Sequence, residues 1–183
     1  MRTKLFNPFI YLAGGKALAL GIAGMIMAAL LGFFGHSHFN GVLDFHKFRD
    51  GLPLYISLAE QAIIFLCTVV PFYVAGRVFS TSQIRLVDVT GTLALARGPM
   101  ILTAVTGFGL PADIRGLADI TAGVIALALV GFVFVIWMVA LSYNAFSVSC
   151  NIKGSNSVSI FIVCLLIAEI SAFYCCSLLY PHS

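Results

Sequence analysis

Long apolar stretches alternate with short polar ones along the whole of this 183-residue chain. A helix rises about 1.5 Å per residue, so roughly 20 mostly apolar residues are needed to cross the ~30 Å hydrocarbon core of a bilayer. Five stretches reach that length, at about residues 13–34, 54–79, 89–110, 120–143 and 158–180. The pattern predicts an all-α integral membrane protein, a single domain over residues 1–183 built as a bundle of five transmembrane helices. Short connections predict antiparallel neighbours.

Composition supports the same class. Hydrophobic residues make up 61% of the chain and charged residues 9%, whereas a soluble domain carries about 25% charged residues. The polar stretches are too short for a separate soluble domain. The net charge of +3 is small and dispersed, so we predict no nucleic-acid partner. The partners expected of such a chain are membrane lipids and either another membrane protein or further copies of itself.

The lysines and arginines of alternate loops predict the orientation. Cytoplasmic loops carry an excess of these residues. With a cytoplasmic N-terminus, six cations lie inside and three outside; the inner set is Arg2, Lys4, Lys16, Arg77, Arg85 and Lys153, and the outer set is Lys47, Arg49 and Arg115. We therefore predict a cytoplasmic N-terminus and, with five spans, an external C-terminus. The compact form favours a bacterial inner membrane.

Three ionisable residues fall well inside the predicted spans: Glu60, Arg97 and Glu169. A charge near the bilayer centre costs about 2.5 kcal/mol or more, so such residues usually face the bundle interior and find partners. At about 1.5 Å per residue, Arg97 lies about 12 Å from the cytoplasmic face, Glu169 about 17 Å and Glu60 about 21 Å. Depth thus favours an ion pair between Arg97 and Glu169, with Glu60 as a second carboxylate.

Two prolines interrupt the apolar spans. Gly98 and Pro99 follow Arg97 directly, and proline removes a backbone donor and clashes with the preceding turn. The third span is therefore expected to break there, to leave carbonyls near Leu95 without helical partners, and to lie at the centre of the molecule. Pro71 is expected to kink the second span, as a second helix break.

Arg97 admits three interpretations. As a structural clip it would be ion-paired and bonded to free carbonyls, and would fix which helices are neighbours. As a ligand site it would bind a lipid phosphate or a substrate carboxylate, with the glutamates as proton or ion partners. Alternatively its side chain would extend to the cytoplasmic interface.

The first loop, "HSHFNGVLDFHKFRDGLP", is the most polar region. Its apolar residues fall mostly on one helical face, which predicts a short helix in the outer interface. The residues of that face are Phe39, Val42, Leu43 and Phe48, and those lying away from it are Asp44, Lys47 and Asp50.

Neither the histidines nor the cysteines form a ligand set. His36, His38 and His46 suggest a metal, but no cysteines or carboxylates at metal-like spacing accompany them. The five cysteines show no CxxC spacing and are expected to be packing residues. We predict no metal site and no cofactor.

The sequence resembles the Yip (Ypt-interacting protein) domain family of five-span membrane proteins. The likeness lies in "GTLALARGP" at residues 91–99 and in Trp137 of "WMVALSYNAFSVSC", followed by a short polar loop and a final apolar span. The resemblance implies a polytopic fold with a cytosolic N-terminus and, in eukaryotic members, association with small GTPases, membrane proteins and vesicle traffic. Only about a dozen residues precede the first span, so the chain looks like the compact prokaryotic members, and GTPase binding is not carried over.

Three function classes were weighed. A non-enzymatic membrane scaffold or adaptor fits the short loops and the repeat of Gly24, Ala28 and Gly32 on one helix face, which favours close helix packing. A small transporter or lipid-handling protein built on the intramembrane arginine and glutamates is the alternative. An intramembrane enzyme is disfavoured because HExxH, paired aspartates and a Ser/His arrangement are missing from the sequence.

Overall fold

The structure, a computed structural model, describes residues 5–47, 51–111 and 119–180. Five segments in this part of the chain are helical, long and apolar enough to cross a membrane, as expected of an all-α membrane bundle. The elements are α1 (Gly14–Phe34), α2 (Leu54–Phe79), α3 (Leu86–Ala96), α4 (Met100–Thr106), α5 (Ala122–Ser149) and α6 (Ser155–Ser177), with α3 and α4 forming the third segment. Short 3₁₀ turns lie at Pro8–Ile10 and Gly107–Gly109.

The helices of the fourth and fifth spans, α5 and α6, differ from their predicted bounds. α5 continues to Ser149, six residues beyond the predicted end, because Ser142, Ala145 and Phe146 are buried against neighbouring helices. Tertiary packing therefore sustains the helix where the hydropathy of the chain falls. α6 begins at Ser155, three residues before the predicted start, directly after Gly154, whose φ of +87° suits glycine.

The third segment is the centre of the molecule, as predicted. In its most apolar stretch 67% of the residues are buried, against 17 to 33% in the other four segments. α3 packs against α1, α2 and α5, and α4 packs against α1 and α5. α2 and α6 form the other extensive helix pair.

Glycines allow α1 and α3 to pack at short distance. A Cβ at Gly21 would collide with the backbone of Ala94, and a Cβ at Gly91 would collide with the carbonyl oxygen of Gly14. The predicted small-residue face is therefore only part of the contact, because Gly24 is half-buried and would tolerate a Cβ, 3.5 Å from the side chain of Ile101.

Two buried apolar clusters fill the bundle, one toward each end. The first centres on Phe72, Phe146 and Phe161, with Phe72 ring centroids 5.3 and 5.5 Å from the other two. The second lies toward the end where α1 connects to α2, which we call the α1–α2 end. Its members are Phe39, Val42, Ile64, Met100, Ala104, Met138, Ala168, Ala172 and Cys176.

The first loop enters the bundle, so the predicted interfacial helix is wrong within the described residues. Ser37–His38 (β1) pairs antiparallel with His46–Lys47 (β2), and the chain between them is irregular. Phe39 and Val42 are each 1% exposed. Their apolar side chains fit a helical face by spacing, but each is buried separately in the interior. Of the same prediction, Phe48 and Asp50 lie outside the described residues, as do Arg2, Lys4, Arg49 and Arg115 of the charge count.

Candidate functional site

The candidate polar site is the group of Glu60, Arg97 and Glu169, which lie in α2, at the end of α3 and in α6. Glu60 is 0% exposed, Arg97 is 4% exposed and Glu169 is half-buried. Glu60 lies six residues from the start of α2 and Glu169 eight residues from the end of α6. At the rise of a helix both carboxylates are therefore about 9 to 12 Å inside the α1–α2 end.

Glu60 binds the inserted loop, by which we mean residues 37–47. The backbone N–H of Phe39 donates to its Oε2 at 3.2 Å, and His38 Nδ1 lies 3.0 Å from its Oε1. The hydroxyl of Tyr180, just beyond α6, donates to Oε1 at 2.9 Å. A buried carboxylate needs such donors, because leaving it without them costs several kcal/mol. Glu60 thus joins α2, the loop and the end of α6.

Glu169 binds the same loop at a second point. The backbone N–H of Leu43 donates to Oε2 of Glu169 at 2.9 Å. Gly41 lies so close to this carboxylate that a Cβ there would collide with Oε1. A side chain at this position would have to displace the carboxylate from the loop. The two glutamates therefore hold the loop through backbone amides, which no side-chain pattern in the sequence announces.

Arg97 does not form the predicted ion pair. Its Nη2 donates to Gln61 Oε1 at 3.3 Å, and no carboxylate oxygen of the described residues lies within 4 Å of it. Glu169 acts on the guanidinium only at longer range, through its charge. The carboxylate of Glu169 is instead occupied by Leu43 N–H, which is the physical reason for the difference.

Several buried donors around Arg97 remain unmatched. Its Nε and Nη1 have no hydrogen-bond partner among the described residues, and neither does Gln61 Nε2. Ser57, one helical turn before Gln61, likewise has an unmatched buried hydroxyl. Arg97 lies inside the bundle with its guanidinium incompletely satisfied, and its 4% exposure contradicts extension to an interface.

The helix break next to Arg97 is tighter than predicted. α3 ends at Ala96 and α4 begins at Met100, with Gly98 and Pro99 between them. The carbonyl of Leu95, predicted to lack a partner, accepts from Gly98 N–H at 3.0 Å, and the carbonyl of Arg97 accepts from Met100 N–H at 2.9 Å. These i to i+3 bonds form a 3₁₀-like turn, which satisfies carbonyls that the proline would otherwise expose.

Pro71 does not break its helix. α2 runs without interruption from Leu54 to Phe79 through Pro71, which corrects the predicted second helix break. A single proline removes one donor from a helix of 26 residues, and α2 packs extensively against α6. Near this point the thiol of Cys164 donates to the carbonyl of Pro71 at 3.6 Å.

Tyr180 and Asp44, which lie beyond the helices near the α1–α2 end, have shifted pKa values. Burial raises the pKa of the Tyr180 hydroxyl, and the nearby charge of Glu60 raises it further. The hydroxyl is thus kept protonated as a donor to Glu60. In the inserted loop, a hydrogen bond from His46 lowers the pKa of Asp44. Near neutral pH the tyrosine is therefore a neutral donor and Asp44 a carboxylate acceptor at the α1–α2 end.

Within the described parts of the chain, no three His, Cys, Asp or Glu side chains are grouped to hold a metal ion. His38 binds Glu60, His46 lies 3.6 Å from Asp44, and His36 is exposed. The three histidines thus lie in three different environments. The five cysteines are free thiols.

Sequence reasoning missed Gln61, Tyr180 and the role of Gly41. Gln61 follows Glu60 directly, and its amide is the acceptor that Arg97 uses. A polar residue beside an intramembrane carboxylate was the available signal for Gln61. No comparable signal identified Gly41, because its importance depends on the position of Glu169.

Comparisons with known proteins add no assignment: the chain matches no protein-family model, no curated protein and no solved structure.

Proposed function

We propose that this chain is an integral membrane protein that serves as a non-enzymatic scaffold or adaptor of the Yip-domain type. In this proposal the five apolar helices span a bacterial inner membrane, with the N-terminus in the cytoplasm and the C-terminus outside. The carrying observation is that both interior glutamates hold the protein's own loop. Their charge serves the architecture, and the wide apolar surface remains for association.

The outer surface offers one extended groove between α2 and α6. Two adjoining depressions of about 370 and 530 Å³ share Pro71, Val74 and Ile167 in their lining. From Leu66 to Phe79 the groove is about 20 Å long at the rise of a helix. Its length and apolar lining suit a transmembrane helix of a partner protein, packed by van der Waals contact.

Photo-crosslinking tests the proposal. A photoreactive amino acid replaces Val74, which is 53% exposed in the groove, or Val133 of α5, which is 60% exposed and outside it. We expect discrete adducts with a membrane protein from the Val74 position and lipid adducts alone from Val133. Adducts with a second copy of the chain would identify the partner as a homo-oligomer. Lipid adducts alone from both positions would contradict the proposal.

A second candidate function is a lipid-handling protein or a small transporter that uses Arg97. The observation that favours it is the pair of unmatched guanidinium donors, Nε and Nη1, which could bind a phosphate or carboxylate. Native mass spectrometry in nanodiscs, comparing the wild type with a folded Arg97→Ala variant, tests this function. Loss of a bound anionic lipid or metabolite supports it, and unchanged adducts count against it.

A further inference from the structure

The inserted loop occupies the space between helices that would otherwise be open at the α1–α2 end. Phe39 and Val42 are buried in one cluster with Met100 and Cys176. Irregular backbone at this depth is stable only when protein surrounds it and supplies hydrogen-bond partners. Here two acceptors come from different helices, Glu60 of α2 and Glu169 of α6. The loop therefore closes this end of the bundle.

The hydrogen bond between Leu43 N–H and Glu169 competes with a second possible interaction of the same carboxylate, an ion pair with Arg97. Arg97 is 4% exposed and two of its nitrogens are unmatched, while Glu169 already acts on it through charge. An arginine and a carboxylate form one of the strongest hydrogen-bonded pairs. The present arrangement forgoes that pair, because Leu43 N–H and the close approach of Gly41 keep the carboxylate at the loop.

We propose that Glu169 exchanges partners and that the inserted loop is a plug governed by this exchange. In the closed arrangement, which the structure describes, Glu169 accepts from Leu43. In the open arrangement its carboxylate turns to Arg97, and the loop withdraws from the bundle. Opening gives an ion pair and satisfies buried donors, whereas closing buries Phe39 and Val42. Opposing gains of this kind keep a minor state populated.

The plug gives Cys176 a distinctive behaviour. This thiol is 0% exposed and belongs to the cluster that the loop closes. Cys150 is also 0% exposed but belongs to the other cluster. Withdrawal of the loop should expose Cys176 and leave Cys150 covered, whereas general unfolding would expose both.

The experiment measures the rate at which a charged, membrane-impermeant thiol reagent modifies each cysteine of the full chain in nanodiscs. Cys67 and Cys175, both half-buried, are replaced by alanine in every variant, and modified peptides are quantified by mass spectrometry. We expect Cys176 to react faster than Cys150 in the otherwise unchanged protein.

The Arg97→Gln variant distinguishes the plug from a structural arginine by the direction in which the Cys176 modification rate changes. It removes the partner of the open arrangement, so Cys176 should react about fivefold more slowly, the factor that corresponds to one net hydrogen bond. A merely structural arginine predicts the opposite, because its loss would loosen the bundle. An unchanged or faster Cys176 reaction in this variant would overturn the proposal.

Gly41→Ala tests the plug without touching Arg97, and carries the test if Arg97→Gln does not fold. Its Cβ must displace the carboxylate of Glu169 from the loop, so Cys176 should react about fivefold faster while Cys150 is unchanged. In a folded double variant with Arg97→Gln the acceleration should be smaller. An unchanged Cys176 rate in Gly41→Ala, or equal acceleration of both thiols, would refute the plug.

Discussion

Glu60 is the residue that best illustrates how a charge is accommodated in this bundle. It accepts from Phe39 N–H and Tyr180 Oη, and His38 Nδ1 lies within hydrogen-bond distance. Hydrogen bonds to an ionised group contribute about 1.5–3 kcal/mol each. The carboxylate therefore stabilises the fold as a junction of three segments, rather than waiting for a ligand.

Glu60→Gln should lower the stability of the protein by about 2 kcal/mol, because an amide nitrogen replaces one acceptor among several donors. Thermal unfolding in detergent measures the effect. The matched control is Asp88→Asn, since Asp88 pairs with Arg85 on the surface at 2.7 Å and such pairs are worth less than about 1 kcal/mol. Equal midpoints for the two variants would contradict a stabilising role for Glu60.

Tyr180 should make stability depend on pH in the alkaline range. Its pKa is raised in the folded state, so its contribution is complete below the ordinary tyrosine pKa of about 10 and is lost as pH rises through the folded value. Above about pH 10 the thermal midpoint of the wild type should fall more steeply than that of Tyr180→Phe. Parallel profiles of the two proteins would refute this linkage.

The sequence correctly predicted that Glu60 and Arg97 are buried, but it did not predict the hydrogen-bond partner of Glu169. The charges of Glu60 and Arg97 were expected in the interior, and both are buried there. The expected Arg97–Glu169 pair was chosen by depth along ideal helices. That method considers side chains alone, whereas the actual partner of Glu169 is a backbone N–H of an irregular loop.

At the scale of elements, the contact of α1 with α3 depends on closely approaching backbones. Gly21 has no room for a methyl group against Ala94, whereas Gly24 on the same helix has ordinary contact distance to its nearest neighbour. In the sequence the two glycines lie three residues apart in the same apolar span, and nothing there separates their roles. Only the path of α3 distinguishes them.

Gly21→Ala should destabilise the protein by about 1–3 kcal/mol, the usual effect of overpacking a closely packed contact. Gly24→Ala is the matched control and should change stability by less than about 0.5 kcal/mol, as for substitutions away from special features. Thermal midpoints of both variants in one detergent provide the comparison. A Gly21→Ala protein as stable as Gly24→Ala would mean that α1 and α3 do not pack as described.

The elements were predictable to different degrees for physical reasons. Length and hydropathy indicate the five long helices because each must be apolar throughout. The break near Pro99 follows from local chemistry, but its 3₁₀-like closure depends on how the two halves pack. The inserted loop was mistaken for a surface helix because Phe39, Val42 and Leu43 have helical spacing whether they share one face or are buried separately.

At the scale of the whole molecule, the proposed function has five spans and therefore expects the two termini on opposite sides of the membrane. The excess of lysine and arginine favours a cytoplasmic N-terminus. A C-terminal reporter that is active only outside the cytoplasm should therefore be active, and one that requires the cytoplasm should be inactive. The reverse result would contradict the orientation that we propose.

Which helices pack against one another could not be predicted from the sequence. Short connections suggest that consecutive helices are neighbours, yet α1 packs most extensively with α3, and α2 with α6. These pairings bring Glu60 and Glu169 to the same end of the bundle. There the two carboxylates accept hydrogen bonds from the inserted loop.

Amide hydrogen exchange of residues 37–47 in nanodiscs examines whether Glu60 and Glu169 hold the inserted loop inside the bundle. We expect slow exchange in the wild type, because much of the loop is buried and the backbone N–H groups of Phe39 and Leu43 donate to carboxylates. We expect faster exchange in Glu169→Gln while peptides from α3 stay protected. Exchange as rapid as that of an exposed loop in the wild type, or a Glu169→Gln loop as protected as the wild type, would contradict this expectation.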